Sequence, residues 1–224
     1  MIGGNAPAPV PPVVLFDFDG VLHRGDAFRL FVRQRYRASW WRTPLVVLLA
    51  PLLGLLCLTG WRQPVRLLVA IGLAGLDEAG YRRTAEAFAA AHARLPGQFL
   101  RAGLATLRRH QQAGARVLVV TGCEQILAQG ILRELGLGDI EVLASSLVRG
   151  GFGLRIGRHN IGRLKAAALA THGIAAAQRA YGDSMLDAAM LKLAAEPVLV
   201  NPVPKLVKRM ERALGRTVER VAWA

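Results

Sequence analysis

Residues 13–22 read VVLFDFDGVL, and this stretch constrains the fold more than any other. Four apolar residues run into Asp17-Phe18-Asp19 and stop at Gly20. A continuous apolar run closed by a turn signal predicts a strand buried on both faces, the kind found in parallel sheets. Asp17 and Asp19 then stand at its C-terminal end, where open α/β sheets place their ligands. Spaced by two, they would share one face of an ideal strand. Two anions so close need a cation or a proton between them. The stretch therefore asks for a metal ion, for a carboxylic acid kept protonated, or for both.

Downstream, strand and helix signals alternate. Residues 77–95 and 98–113 predict helices, ended by Pro96-Gly97 and by Gly114. RVLVVTG at 116–122 predicts a second buried strand ending at Thr121-Gly122, with helix-forming ILAQGILREL after it. A short strand at 140–144 and a glycine-turned hairpin at 147–156 follow. Residues 161–171 predict a helix carrying Lys165, which on its own sequence reads as a solvated lysine. A short strand ends at Gly182, followed by Asp183, and a helix beginning near Ser184 would place Asp187 on its first turn. A strand at 197–201 and a basic helix at 205–214 come last, and TVERVAWA gives no signal. With right-handed crossovers this order predicts an α/β fold: a doubly wound, mostly parallel, Rossmann-like sheet. At 224 residues the chain can hold one such core and an insertion.

The insertion has its own character. Residues 28–42 (FRLFVRQRYRASWWR) predict a basic helix interleaved with aromatics. Residues 43–61 (TPLVVLLAPLLGLLCLTGW) contain no charge. Trp40 and Trp41 border this stretch on one side, Trp61 on the other, and Arg62 and Arg66 lie beyond. An apolar centre with tryptophan borders and basic flanks predicts membrane contact. Its length is near the minimum for spanning, and Pro44, Pro51 and Gly54 predict a kinked or broken helix. Both ends of an insertion into one sheet must return to the same side, so a single crossing is excluded. A shallow re-entrant hairpin or interfacial helices remain, against the plainer alternative of a buried helix pair. Residues 67–76 form a second apolar run, too short to span.

A net charge of +14, carried almost entirely by arginine, predicts an anionic partner, although an Arg- and Ala-rich genome accounts for part of it. Cys57 and Cys123 make no disulfide framework and predict a reducing compartment. Residues 1–12 lack the basic and apolar regions of a signal peptide and read as a disordered Pro/Ala lead. His23 is open between a ligand or proton donor and a packing residue, and Asp26 between a helix cap and a substrate contact. His92 and His110 are expected on exposed helix faces.

Taken together, these motifs resemble the haloacid dehalogenase superfamily of phosphotransferases over 13–22 and about 97–201. DFDGVL at 17–22 matches the first motif, VVTG ending at Thr121-Gly122 the second, Lys165 the third and GDSMLD at 182–187 the fourth. Val21 departs from the Thr often found there, at a packing position. The helical insertion is similar to the cap of the phosphoserine-phosphatase-like branch. LHRGDAF and the Pro/Leu-rich stretch after it resemble the C-type phosphatidylglycerophosphate phosphatases of bacterial phospholipid synthesis.

The resemblance implies a core of residues 13–25 and 97–224. It also implies a helical cap of residues 26–96, with a membrane-interacting hairpin at about 40–76. It implies Asp17 as nucleophile forming an aspartyl-phosphate, and Asp19 as acid and base. Mg²⁺ would be held by Asp17, the backbone carbonyl of Asp19 and Asp183, with Asp187 orienting that shell. Thr121, Gly122 and Lys165 would hold the phosphoryl oxygens, with Asp26 and His23 toward substrate. A phospholipid surface and a phosphorylated lipid would be the partners, with no nucleic acid, at the cytoplasmic face of the inner membrane. A soluble metabolite phosphatase, such as one for phosphoserine, and a non-catalytic membrane- or nucleic-acid-binding protein are the alternatives.

Overall fold

The computed structural model describes residues 11–58 and 60–223, so most of the proline-rich lead lies outside the described residues. In chain order the elements begin with β1 (Val13–Phe16) and five helices: α1 (Ala27–Arg37), α2 (Arg42–Leu48), α3 (Ala50–Leu58), α4 (Arg62–Leu73) and α5 (Glu78–Ala93). Next come α6 (Arg101–Gln112), β2 (Arg116–Glu124), α7 (Gln125–Glu134) and β3 (Glu141–Ser145). A hairpin of β4 (Leu147–Gly150) and β5 (Gly153–Ile156) leads to α8 (Arg163–Thr171) and β6 (Ala177–Gly182). A 3₁₀ turn at Met185–Asp187 runs into α9 (Ala188–Leu191), and β7 (Ala194–Val200), α10 (Pro204–Leu214) and β8 (Glu219–Val221) complete the chain.

Six strands pair in the order β3-β2-β1-β6-β7-β8, every pairing parallel. The predicted doubly wound α/β sheet is therefore present. The chain runs outward from β1 to β2 and β3, then returns to lay β6 on the other side of β1. That reversal puts a topological switch point between β1 and β6, the place where such sheets open a ligand crevice. β8, in the stretch that gave no signal, is the sixth strand, with Val200 in register with Val221.

Alternation along the strands builds two cores. Val14, Phe16, Val117 and Val119 face a layer containing Phe31, Tyr81, Phe88, Leu127 and Ile131 from α1, α5 and α7. Leu15, Leu118 and Val120 face the opposite layer, with Leu169, Met190, Leu191 and Met210. Helices α1 and α5 of the insertion thus share their apolar layer with the sheet.

The uncharged stretch is broken, as its prolines predict: α2 and α3 meet at Leu49, and α4 starts after Trp61. Among the described residues no helix is long and apolar enough to cross a membrane. Helix α3 buries no residue, and Val47, Leu48, Leu52, Leu55, Leu58 and Trp61 are exposed. The basic helix ends at Arg37, short of the predicted Arg42. Arg42 is instead buried, donating to the carbonyls of Ile71 (3.1 Å), Arg35 (3.1 Å) and Ala74 (3.0 Å). Five N–H groups let one guanidinium satisfy several carbonyls left open at helix ends.

Candidate active site

Strand β1 stops at Phe16 because the chain turns immediately after it. Asp17 N donates to Tyr181 O of β6 at 2.9 Å, and Leu22 and His23 N both donate back to Phe18 O at 2.9 Å. This turn presents Asp17 at the switch point while sending Asp19 off the strand line, so the two carboxylates do not share a strand face. Asp17 Oδ1 accepts from Phe18 N (2.7 Å) and lies 2.8 Å from Lys165 Nζ.

Lys165 comes from the first turn of α8 and is 2% exposed. The solvated reading from its own sequence is therefore overturned: Nζ sits between Asp17 and Asp187 Oδ1, the latter at 2.6 Å. Burial opposes its charge, but the two carboxylates outweigh that and hold the ammonium above the ordinary lysine range.

The fourth motif folds as a capping box. Asp187 Oδ2 accepts from Asp183 N (3.2 Å), Ser184 N (3.0 Å) and Ser184 Oγ (3.0 Å), while Ser184 Oγ caps Leu186 N. Gly182 permits this: a Cβ there would fall 2.6 Å from Asp187 Cβ.

One oxygen from each of Asp17, Asp183 and Asp187 lies within 4.8 Å of the other two. Burial first, and Asp187 second, push Asp17 well above the usual carboxylate range despite Lys165. Burial and Asp187 likewise raise Asp183 to about 7. Three carboxylates around a single ammonium leave the cluster short of positive charge. An all-oxygen donor set of this kind suits a hard divalent cation such as Mg²⁺. Asp187 already spends Oδ1 on Lys165 and Oδ2 on the Asp183–Ser184 backbone, which fits it to orient the shell.

A cavity of about 1030 Å³ opens over these groups, with Asp17, Asp19, Gly122, Lys165, Asp183 and Asp187 among its walls. Asp19 Oδ1 accepts from Ala27 N (2.9 Å), tying the site to the start of α1. Asp26 caps that helix through Arg29 N (2.8 Å) and also borders the cavity. Burial and Asp19 raise its carboxyl.

Two predicted groups do not reach the cavity wall. Thr121 is fully buried, and its Oγ1 accepts from Cys123 N at 2.9 Å, so the hydroxyl braces the strand tip that presents Gly122. His23 is also fully buried. Its Nδ1 lies 3.4 Å from Asp19 Oδ1 and its Nε2 2.8 Å from His92 Nε2, so it backs Asp19 rather than facing substrate. His92, expected exposed, is buried because α5 closes over the turn after β1 and the two imidazoles satisfy each other. His110 is half-buried and hydrogen-bonds Tyr181 Oη at 2.9 Å.

The rest of the cavity wall was not read from sequence. Helix α1 supplies Arg29, Val32, Arg33 and Tyr36, and the α4 segment supplies Trp61, Val65, Leu68 and Val69. Both sets have helical spacing, the signal that could have found them. His159, from the loop before α8, joins them.

The sequence profile of the haloacid dehalogenase-like hydrolases matches residues 14–192. No curated protein matches the chain in sequence. Among solved structures, a protein of unknown function from Bordetella pertussis Tohama I is similar at TM-score 0.68 and 20% identity, over 94% of this chain and 99% of that one. A phosphoserine phosphohydrolase-like protein from Francisella tularensis subsp. tularensis SCHU S4 is similar at TM-score 0.61 and 13% identity, over 94% of each chain. A phosphoserine phosphatase carrying an analogue of its phospho-aspartyl intermediate is similar at TM-score 0.56 and 19% identity, over 93% of each chain. At these identities the structures speak for the fold.

Proposed function

Because the chain belongs to the haloacid dehalogenase-like hydrolases, we propose that it is a Mg²⁺-dependent phosphomonoesterase acting on a lipid phosphate, phosphatidylglycerophosphate by preference, at a membrane surface. The observation that carries the chemistry is the cluster of Asp17, Asp183 and Asp187 around Lys165 at the tips of β1 and β6.

Asp17 is the nucleophile. Its contacts with Lys165 and Phe18 N fall on Oδ1, leaving Oδ2 to attack phosphorus in line and form an aspartyl-phosphate. Lys165 draws the Asp17 carboxyl down against its burial and then stabilises the equatorial phosphoryl oxygens. Gly122, at the strand tip braced by Thr121, lines the phosphoryl site; a Cβ there would fall 2.7 Å from Ile161 Cγ2, so glycine lets the strand tip pack against that loop. Asp19 delivers a proton to the leaving alkoxide, then takes one from the water that hydrolyses the acyl phosphate. Mg²⁺ would be held by Asp17, Asp183 and the Asp19 backbone carbonyl, oriented by Asp187, and when bound supplies charge neutralisation between carboxylates and phosphate.

In this reading residues 26–96 form the cap and α2–α3 its membrane contact. Support comes from the exposed apolar side chains of α2 and α3 between Trp40 and Trp61, both themselves exposed. Exposed Arg37, Arg62 and Arg66 flank them, as suits an anionic cytoplasmic leaflet. A face of this kind on a soluble monomer would be an aggregation liability.

The test is phosphate release from phosphatidylglycerophosphate in mixed micelles and from phosphoserine, each with Mg²⁺, with EDTA and with Asp17→Asn. Lipid turnover that needs Mg²⁺ and Asp17 is expected. Turnover of phosphoserine alone would assign a soluble metabolite phosphatase and overturn the lipid reading.

A further inference from the structure

We infer that the cavity recognises a second anionic group on its phosphomonoester, held by Arg29 and Arg33; this rests on the phosphomonoesterase reading above. The floor of the cavity is carboxylate, and Lys165, the cation there, is occupied by Asp17 and Asp187. Most of the remaining wall is apolar: Phe28, Val32, Tyr36, Val65, Leu68 and Val69. Arg29 and Arg33, exposed residues on successive turns of α1, complete that wall. Arg29 acts electrostatically on Asp26, yet among the described residues neither arginine forms an ion pair within 4.0 Å.

The position of the pair sets the length of the substrate. Helix α1 is anchored to the reacting end, since Ala27 N donates to Asp19 Oδ1 at 2.9 Å. From Ala27, the helix rises about 3 Å to Arg29 and about 9 Å to Arg33. A second anion one or two turns from the scissile phosphate, about the span of a three-carbon linker, would meet both. Guanidinium forks suit phosphodiester or carboxylate oxygens, and both arginines are exposed and, among the described residues, without an ion-pair partner to displace.

The experiment compares two soluble substrates with the same scissile group: glycerol 3-phosphate, and glycerophosphoglycerol phosphate, which adds a phosphodiester. The full chain is used with Mg²⁺, and the quantity read is the ratio of their kcat/KM values. Wild type is expected to favour the diester-bearing substrate, and Arg29→Gln with Arg33→Gln to lower the ratio about tenfold or more, through KM. Arg101→Gln, exposed at the start of α6 and away from the cavity wall, is expected to leave the ratio as in wild type. Partial unfolding lowers both activities together and does not move the ratio. A wild-type ratio near one, a ratio unchanged in the double variant, or an equal loss in Arg101→Gln overturns the subsite alone. Wild type that hydrolyses neither substrate overturns the phosphomonoesterase reading beneath it.

Discussion

Gly20 and Asp183 occupy nearly the same space: a Cβ on Gly20 would fall 2.0 Å from Asp183 Oδ2. The turn after β1 and the tip of β6 are therefore fitted to each other through a missing side chain. Gly20 also has φ +81°, which costs an L-residue about 1–2 kcal/mol. Gly20→Ala is expected to displace the Asp183 carboxylate and lower kcat about 100-fold. Phosphate release with a thermal melt in parallel checks this; a melt shift without loss of turnover would mean that Asp183 can move without consequence.

Lys165→Met removes the ammonium between Asp17 and Asp187. The buried carboxylates it leaves uncompensated are expected to cost about 3 kcal/mol near pH 8. The variant takes up protons there as pH falls, so its deficit against wild type shrinks toward pH 5. Added Mg²⁺ shrinks it at pH 8 too, because the folded site, with one cation fewer, binds the ion more tightly than wild type does. Urea unfolding at both pH values, with and without Mg²⁺, measures this. A deficit independent of pH and Mg²⁺ would place the effect in packing.

Much of this arrangement was legible in the sequence. The β1 run and the parallel order followed from apolar periodicity, and the cap was one of the two roles that short-range chemistry left open for Asp26. What was hidden depended on partners far along the chain. Lys165 sits on a helix turn indistinguishable from a solvated one until the fold brings it between Asp17 and Asp187. His92 reads as an exposed helix residue until it meets His23, 69 positions away. Strand β8 has only three residues and gains its identity from pairing with β7. The cavity wall was missed because its two stripes become a wall only when α1 and α4 face each other.

Membrane contact through α3 predicts that Leu52→Glu with Leu55→Glu weakens co-sedimentation with anionic vesicles more than tenfold, since each buried leucine is worth about 1.5–3 kcal/mol. Leu95→Glu, an exposed leucine outside this face, serves as the control. Equal effects in both would assign binding to net charge alone.

Glu124 caps α7 through Leu127 N (3.0 Å) and accepts the Tyr81 hydroxyl in a buried pocket. Burial raises its carboxyl above the ordinary value of 4.5, against the Tyr81 hydrogen bond. The folded state therefore holds this proton more tightly than the unfolded chain. Its contribution to stability is complete below about 4.5 and is lost as pH rises through the folded value. Glu124→Gln keeps the acceptor without the titration. Wild type is expected to lose ground to this variant between pH 4.5 and 8, read as denaturation midpoints. Parallel curves would refute the assignment.

The most direct test of the central claim is covalent. The protein is incubated with a phosphomonoester and Mg²⁺, quenched in acid, digested and mapped by mass spectrometry. A single acid-stable, base-labile phosphoryl group on the peptide containing Asp17, absent in Asp17→Asn, is the predicted result. Turnover with no phosphoryl group on Asp17, or with one on another residue, would contradict the account.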